Sequence, residues 1–146
     1  MSRAVAADDA PLLERFRSRG VLSPLDVHFA RTVGRVGGER NERVLLAAAL
    51  ACRAPRHGHI CIEPRRVATT VRLEPAPGEA AAPLPWPEPE AWLAVLRTSP
   101  LVAGEGLARN AAAPLVLQGD RLYLDRYFRY EERLVAAIRA RLACPA

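Results

Sequence analysis

The chain has 146 residues, of which half are apolar and a quarter are charged, and its formal net charge is +5. These values fit one globular domain, and no apolar run approaches the roughly 18 uncharged residues that a membrane span needs. All 21 basic residues are arginine, which excludes a phosphate-binding or Schiff-base lysine. An odd number of cysteines and an N-terminus without a signal peptide's apolar core predict a cytoplasmic protein with reduced thiols.

The first part of the chain predicts two short amphipathic helices. Asp9 is placed to cap a helix over residues 10–19, and Gly20 is placed to end it. Ser23, followed three residues later by Asp26, is typical of a capping box and predicts a second helix that runs to about residue 36. The predicted core-facing side chains of this second helix are Leu25, Phe29, Thr32, Val33 and Val36.

A third helix is predicted from Asn41 to about Cys52. Its segment VLLAAALAC is apolar nearly all round, which is typical of a helix at the centre of a core. The following run GHICI (58–62) predicts a short strand, with Ile60 and Ile62 on the same face.

Residues 74–90 are rich in proline and alanine and predict an extended excursion over the surface, from which Trp86 docks back onto the body. A fourth helix is predicted around residues 88–97. Its inward side chains are Trp92, Leu93 and Leu96.

The run from Pro114 to Leu134 predicts a β-hairpin followed by a helix. Two apolar runs flank the turn residues Gly119 and Asp120, and glycine tolerates the positive φ of hairpin turns. One side of the predicted helix is a seam of Tyr127, Tyr130, Leu134, Ile138 and Leu142, which we expect to follow the edge of the core. Beside it lies an arginine stripe, which we define as Arg126, Arg129 and Arg133.

Motifs for catalysis are absent from the sequence. Cys52, His57, His59 and Cys61 are residue types that bind zinc, but their spacing matches no usual zinc pattern, so we interpret them as ordinary core and surface residues. No phosphate-binding glycine loop, nucleophile motif or metal-binding carboxylate set occurs. We therefore expect this chain alone not to be an enzyme and to hold no cofactor or metal.

Four blocks carry a family resemblance: LSPLDVHFARTV, RVLLAAALACRA with GHICI, WLAVLRTSPLV and PLVLQGDRLYLDRYFRYEERLVAAI. In this order they resemble the N-terminal domain of RecD, the alpha subunit of exodeoxyribonuclease V (RecBCD). The resemblance covers roughly residues 11–140 and departs from the family in the Pro-Ala-rich segment.

The resemblance implies a role in double-strand-break repair and recombination. RecD is similar to superfamily 1 helicases. It is an ATP-driven motor that moves 5′ to 3′ on DNA. Its first domain seats the subunit on RecC, in a complex that also contains RecB. The motor lies C-terminal to this region in the family, so ATP and Mg²⁺ are implied only for motor domains that this chain lacks.

Together these observations predict a mainly helical α+β fold, in which a small orthogonal helical bundle carries a short β-hairpin in a single domain over residues 1–146. The expected function is assembly through a partner interface at Arg126, Arg129, Arg133 and Trp86 and at the outer face of the hairpin. The alternative is a winged-helix-like module whose hairpin and arginines contact DNA phosphates. Direct DNA contact is expected to be weak, and no membrane contact is expected.

Overall fold

The computed structural model describes residues 11–71, 83–104 and 113–143, and within 128–132 it describes the backbone alone. In chain order the elements are α1 (Leu12–Ser18), α2 (Pro24–Gly37), α3 (Glu42–Arg53), a 3-10 helix (Ala54–His57), β1 (Cys61–Ile62), α4 (Val67–Thr70), α5 (Pro89–Thr98), β2 (Val102–Gly104), β3 (Leu115–Gln118), β4 (Arg121–Leu124) and α6 (Asp125–Ala143). The predicted α+β class is confirmed.

A four-stranded sheet in the order β1-β4-β3-β2 lies beside the helices. The β3–β4 hairpin is antiparallel, as predicted, and its two-residue turn has Gly119 at a φ of +60°. Since Asp120 has no positive φ, the turn matches type II′, in which only the first central residue needs a left-handed backbone. The strand β2 was not predicted, and it pairs with β3 in parallel.

Helix α3 forms the centre of the core, as predicted. Every residue from Val44 to Ala51 is buried. The helix contacts α1, α2, α5 and β4, so each of its sides has a neighbour. A helix that is apolar nearly all round is stable in this position because none of its sides faces water.

Helix α2 begins at the predicted capping box. The Asp26 backbone N–H donates to the Ser23 hydroxyl at 3.2 Å, and the Ser23 N–H donates to the Asp26 carboxylate at 2.9 Å. These two bonds satisfy N–H groups that a helix start otherwise leaves without partners. The helix ends at Gly37, and Gly38 has the left-handed conformation that closes it.

The predicted core face of α2 is partly wrong. Leu25 and Val36 are exposed, whereas Asp26, Ala30 and Gly34 are buried. Two of the other three expected core residues, Phe29 and Val33, are half-buried and pack against the core, and Thr32 is half-buried. The helix is rotated because it approaches α3 through small residues. A Cβ at Gly34 would lie 2.6 Å from the Leu45 Cδ2 atom and 3.0 Å from the Glu39 carbonyl oxygen, so a larger residue here would require the packing to shift.

Two element boundaries also differ from the prediction. Helix α1 starts at Leu12 rather than at residue 10, because Pro11 has an extended backbone with ψ of 146°, and Gly20 follows its end as predicted. The predicted cap, Asp9, lies outside the described residues. Strand β1 contains only Cys61 and Ile62, and Ile60 is exposed in the bend before it.

Helix α5 matches its prediction closely. The Glu88 carboxylate accepts hydrogen bonds from the backbone N–H groups of Glu90 and Ala91, at 3.1 and 2.8 Å. This cap fixes the start of the helix, and the predicted inward residues Trp92, Leu93 and Leu96 are all buried. In the described ranges no helix is both long enough and apolar enough to cross a membrane.

Candidate interaction surface

The arginine stripe lies on α6, which starts directly after β4. The Asp125 N–H donates to the Pro114 carbonyl oxygen at 2.9 Å, so the first turn of the helix is bound to the start of the hairpin. Tyr127, in the same turn, is half-buried and packs against the core. The base of α6 is therefore held firmly by the sheet and the core.

Arg126 and Arg133 of the stripe are both exposed. The Arg126 guanidinium lies 4.8 Å from the centre of the Tyr127 ring, and its Nη2 atom is 3.5 Å from the Tyr127 hydroxyl. Stacking on an aromatic face limits the freedom of this long side chain while leaving most of its donors open to a partner. The side chain of Arg129 lies outside the described residues.

The expected core seam of α6 is correct only at its base. Tyr127 packs against the core, but Leu134, Ile138 and Leu142 are exposed, and the side chain of Tyr130 lies outside the description. Helical spacing identifies residues that share one side of a helix, but it does not reveal whether another element faces that side. Sequence reasoning therefore missed an exposed apolar surface.

Trp86 docks back onto the body, as predicted. Its ring meets Phe16 edge to face, with centroids 4.7 Å apart, and lies 6.4 Å from the ring of Trp92. The Trp92 indole N–H donates to the Arg43 carbonyl oxygen at 2.8 Å, which satisfies this buried polar group. Trp86 is half-buried, so part of its surface faces outwards.

The outer face of the hairpin is not available as the partner surface that the sequence predicted. Val116 and Tyr123 on that face are buried and form a small cluster with Cys61. Leu115 and Leu122 on the opposite face are also buried. Because β3 and β4 are the two central strands of the sheet, β2 and β1 flank the body of the hairpin, and only its end at Gln118–Arg121 is exposed.

Several arginines outside α6 are neutralised by acidic neighbours. Arg65 forms ion pairs with Glu90 and with Asp120, where the nitrogen–oxygen distance to Asp120 is 3.1 Å. Glu63 lies 3.4 Å from Arg66 and 3.3 Å from Arg121. These pairs connect the hairpin turn to the loop before α4 and to the start of α5.

The arginines in the second half of α6 differ from these. Within the part of the chain that the structure describes, Arg133, Arg139 and Arg141 are exposed and form no ion pair.

Among the described residues, Cys52, His59 and Cys61 do not form one site. Cys52 lies near the buried Asp26, which Arg56 contacts at 2.5 Å. Burial raises the pKa of the Cys52 thiol, and the Asp26 carboxylate raises it further. His59 and Cys61 instead line a cavity of about 230 Å³. In the described ranges no three histidine, cysteine or acidic side chains are placed to hold a metal ion.

Comparison with known proteins gives consistent matches. The family model of the N-terminal domain of RecBCD enzyme subunit RecD matches residues 18–123. RecBCD enzyme subunit RecD of Mycobacterium tuberculosis, strains CDC 1551 / Oshkosh and H37Rv, is 38% identical over 138 residues, which is 94% of this chain and 21% of the relative. The subunit of the same name from Mycolicibacterium smegmatis is 42% identical over 123 residues, 84% of this chain and 19% of the relative. The chain thus spans about a fifth of the length of these relatives.

Proposed function

The chain belongs to the family of RecD N-terminal domains, and from this we propose that it is a non-catalytic assembly domain that docks a 5′–3′ DNA helicase motor onto a RecC-like subunit. The same complex would contain a RecB-like subunit and act in double-strand-break repair and recombination. ATP and Mg²⁺ would be bound by the motor part of the subunit. The proposed site of action is the cytoplasm.

The observation that carries this proposal is the arginine stripe on a helix with a fixed base. Arg126 is exposed and stacked on Tyr127, and Tyr127 is packed against the core. A partner that binds Arg126 thereby contacts a group with a fixed position relative to the whole domain. Arginine and aromatic residues are enriched among interface hot spots because they supply directed donors and large contact areas.

Electrostatics favours an acidic partner surface. The stripe presents guanidinium groups that form two parallel hydrogen bonds with carboxylates, and complementary charge speeds encounter. We also propose that Trp86 lies at the margin of this interface, because part of its surface remains exposed. Direct DNA binding is a weaker candidate, since the strands of the hairpin are the two central strands of the sheet and their side chains are mostly buried.

The proposal is tested by retention of a RecC-like subunit on the 146-residue chain. Charge reversal at Arg126 and Arg129 is expected to weaken retention roughly tenfold or more, as hot-spot arginines do. Reversal of Arg40 and Arg97, which are exposed elsewhere, makes the same change in net charge and is the matched control. Circular dichroism checks that all variants are folded.

Each of three outcomes would contradict a part of this proposal. If the wild-type chain does not retain the RecC-like subunit, the assembly role is wrong. If reversal at Arg126 and Arg129 has no larger effect than reversal at Arg40 and Arg97, the arginine stripe is not the contact. DNA-stimulated ATP hydrolysis by the pure chain, abolished by a substitution within it, would contradict the non-catalytic role.

A further inference from the structure

The second half of α6 presents an uncovered apolar surface, which we define as the α6 apolar face: Leu134, Val135, Ile138 and Leu142. These side chains are 51%, 40%, 49% and 81% exposed. At about 100° per residue they fall within an arc of roughly 100°, so they form one continuous stripe over about two and a half turns. A contiguous apolar stripe of this kind is typical of a surface that makes contact with another part of the protein or with a partner.

The α6 apolar face continues the side of the helix that already packs against the domain. Tyr127 lies on the same side of α6 and contacts the core. The helix therefore leaves the body with its apolar side in a fixed orientation, and a partner that covers this face also meets the edge of the domain. Apolar residues spaced four apart along one helix side, here Leu134, Ile138 and Leu142, are the anchors of helix-in-groove recognition.

The charges around the face specify the chemistry of its partner. Residues 133–143 contain three arginines and no acidic residue. Arg139 and Arg141 border the face on opposite sides, and neither forms an ion pair within the described ranges. A second copy of the helix would bring like charges together along the contact, which opposes self-association. A groove with carboxylates on its rim would complement both sides of the face.

A lipid surface fits the face less well than a protein groove. Helices that lie on membranes usually bear tryptophan, phenylalanine or leucine on the buried side and lysine or arginine on the opposite side. Residues 133–143 contain leucines and arginines but no aromatic side chain. The lack of an aromatic anchor favours a protein groove over a lipid surface.

We infer that the α6 apolar face inserts into an apolar, acid-rimmed groove on the partner subunit. This inference rests on the proposed assembly function and adds the surface and the mode of binding. The aliphatic anchors supply the buried contact, and Arg139 and Arg141 fix the helix register by pairing with carboxylates on the rim.

The test compares two variants with the same added charge. Ile138→Asp places a carboxylate on the α6 apolar face, whereas Val36→Asp places one at an exposed aliphatic position on α2, outside the proposed interface. For binding to a RecC-like subunit, measured by calorimetry, we expect Ile138→Asp to lose roughly 30-fold or more, as for a central interface anchor. Val36→Asp should lose less than about threefold. Ile138→Leu should bind like the wild type, and circular dichroism checks folding.

Each of the following outcomes would contradict the inference. If wild type and Ile138→Asp bind equally well, the α6 apolar face is not part of the interface, but the assembly function is not contradicted. If the wild type does not bind, both the interface and the assembly function are wrong. In sedimentation experiments, dimerisation that Ile138→Asp abolishes would identify a second copy as the occupant. Binding to phosphatidylserine vesicles that the same substitution abolishes would identify a lipid surface.

Discussion

Helix α3 and the second half of α6 contain similar apolar residues in opposite surroundings. In α3 every residue from Val44 to Ala51 is buried, whereas all residues from 133 to 143 are exposed. The helices differ in the distribution of these residues around the axis. Helix α3 is apolar on every side and needs neighbours all round, which α1, α2, α5 and the sheet provide. Helix α6 is apolar on one side only, and the domain covers that side at its base alone.

The same type of side chain therefore has different roles in the two helices. Truncation within α3 leaves a cavity and removes contacts on which the fold depends. Truncation on α6 removes surface that is already exposed to water, so we expect it to leave folding nearly unchanged and, under the proposed interface, to weaken binding. Substitutions matched in chemistry across the two helices can separate these roles.

The largest effect is expected for Leu46→Ala at the centre of α3. Leu46 is fully buried, and removal of a buried leucine side chain typically lowers the free energy of unfolding by about 3 kcal/mol. The matched variant Leu142→Ala on α6 should change it by less than about 0.5 kcal/mol, because surface substitutions have little effect. Urea denaturation followed by circular dichroism measures both. Equal losses would show that α6 is as deeply packed as α3.

A smaller loss is expected for Asp26→Ala, which tests a polar group inside the buried region. The substitution removes the capping box with Ser23 and the ion pair with Arg56. Since Arg56 is partly exposed and can return to water, the free energy of unfolding should fall by about 2 kcal/mol, less than for a fully buried pair.

The control for Asp26→Ala is Glu14→Ala. Glu14 pairs with Arg17 on the surface of α1, and loss of this pair should have little effect on urea denaturation. If Asp26→Ala lowers the free energy of unfolding no more than Glu14→Ala does, the buried carboxylate of Asp26 does not stabilise the start of α2.

The smallest of these effects is expected for Gly119→Val in the hairpin turn. No atom lies within 4 Å of a Cβ built at Gly119, so the substitution causes no clash. Its φ of +60° is nevertheless strained for a β-branched residue and should cost about 1–2 kcal/mol in thermal or urea unfolding. Gln118→Val, in the adjacent exposed strand position, should stay within about 0.5 kcal/mol. If Gly119→Val leaves the free energy of unfolding unchanged, the turn rearranges readily. Solvent exposure alone would then decide how strongly a substitution changes stability, as on α6.

Features that depend on neighbouring residues were predictable from the sequence. The capping box of α2, the Glu88 start of α5 and the hairpin turn at Gly119 each involve residues within a few positions of one another. The block resemblance to RecD N-terminal domains is confirmed by the family match over residues 18–123. The central position of α3 in the core was also predictable, because the helix is apolar on nearly every side.

Features that depend on distant residues were not predictable in this way. Strand β2 is three residues long and pairs in parallel with β3, which no local pattern indicates. The buried side of α2 is set by the close approach of Leu45 to Gly34, and a pattern that counts large apolar residues misses it. The candidate surface was found in part: the spacing located the arginine stripe but placed the apolar side of α6 against the core.

The aromatic cluster gives the domain a built-in optical reporter. Trp86 and Trp92 are the only tryptophans in the chain, and they lie 6.4 Å apart beside Phe16. Their emission therefore follows the environment where α1, α5 and the segment before α5 meet. Helix α6 from residue 133 onwards contains no aromatic group, so it does not contribute to this signal. Intrinsic fluorescence consequently records the state of the core without any label, while a dye placed on α6 would record occupancy of that helix in a separate spectral channel.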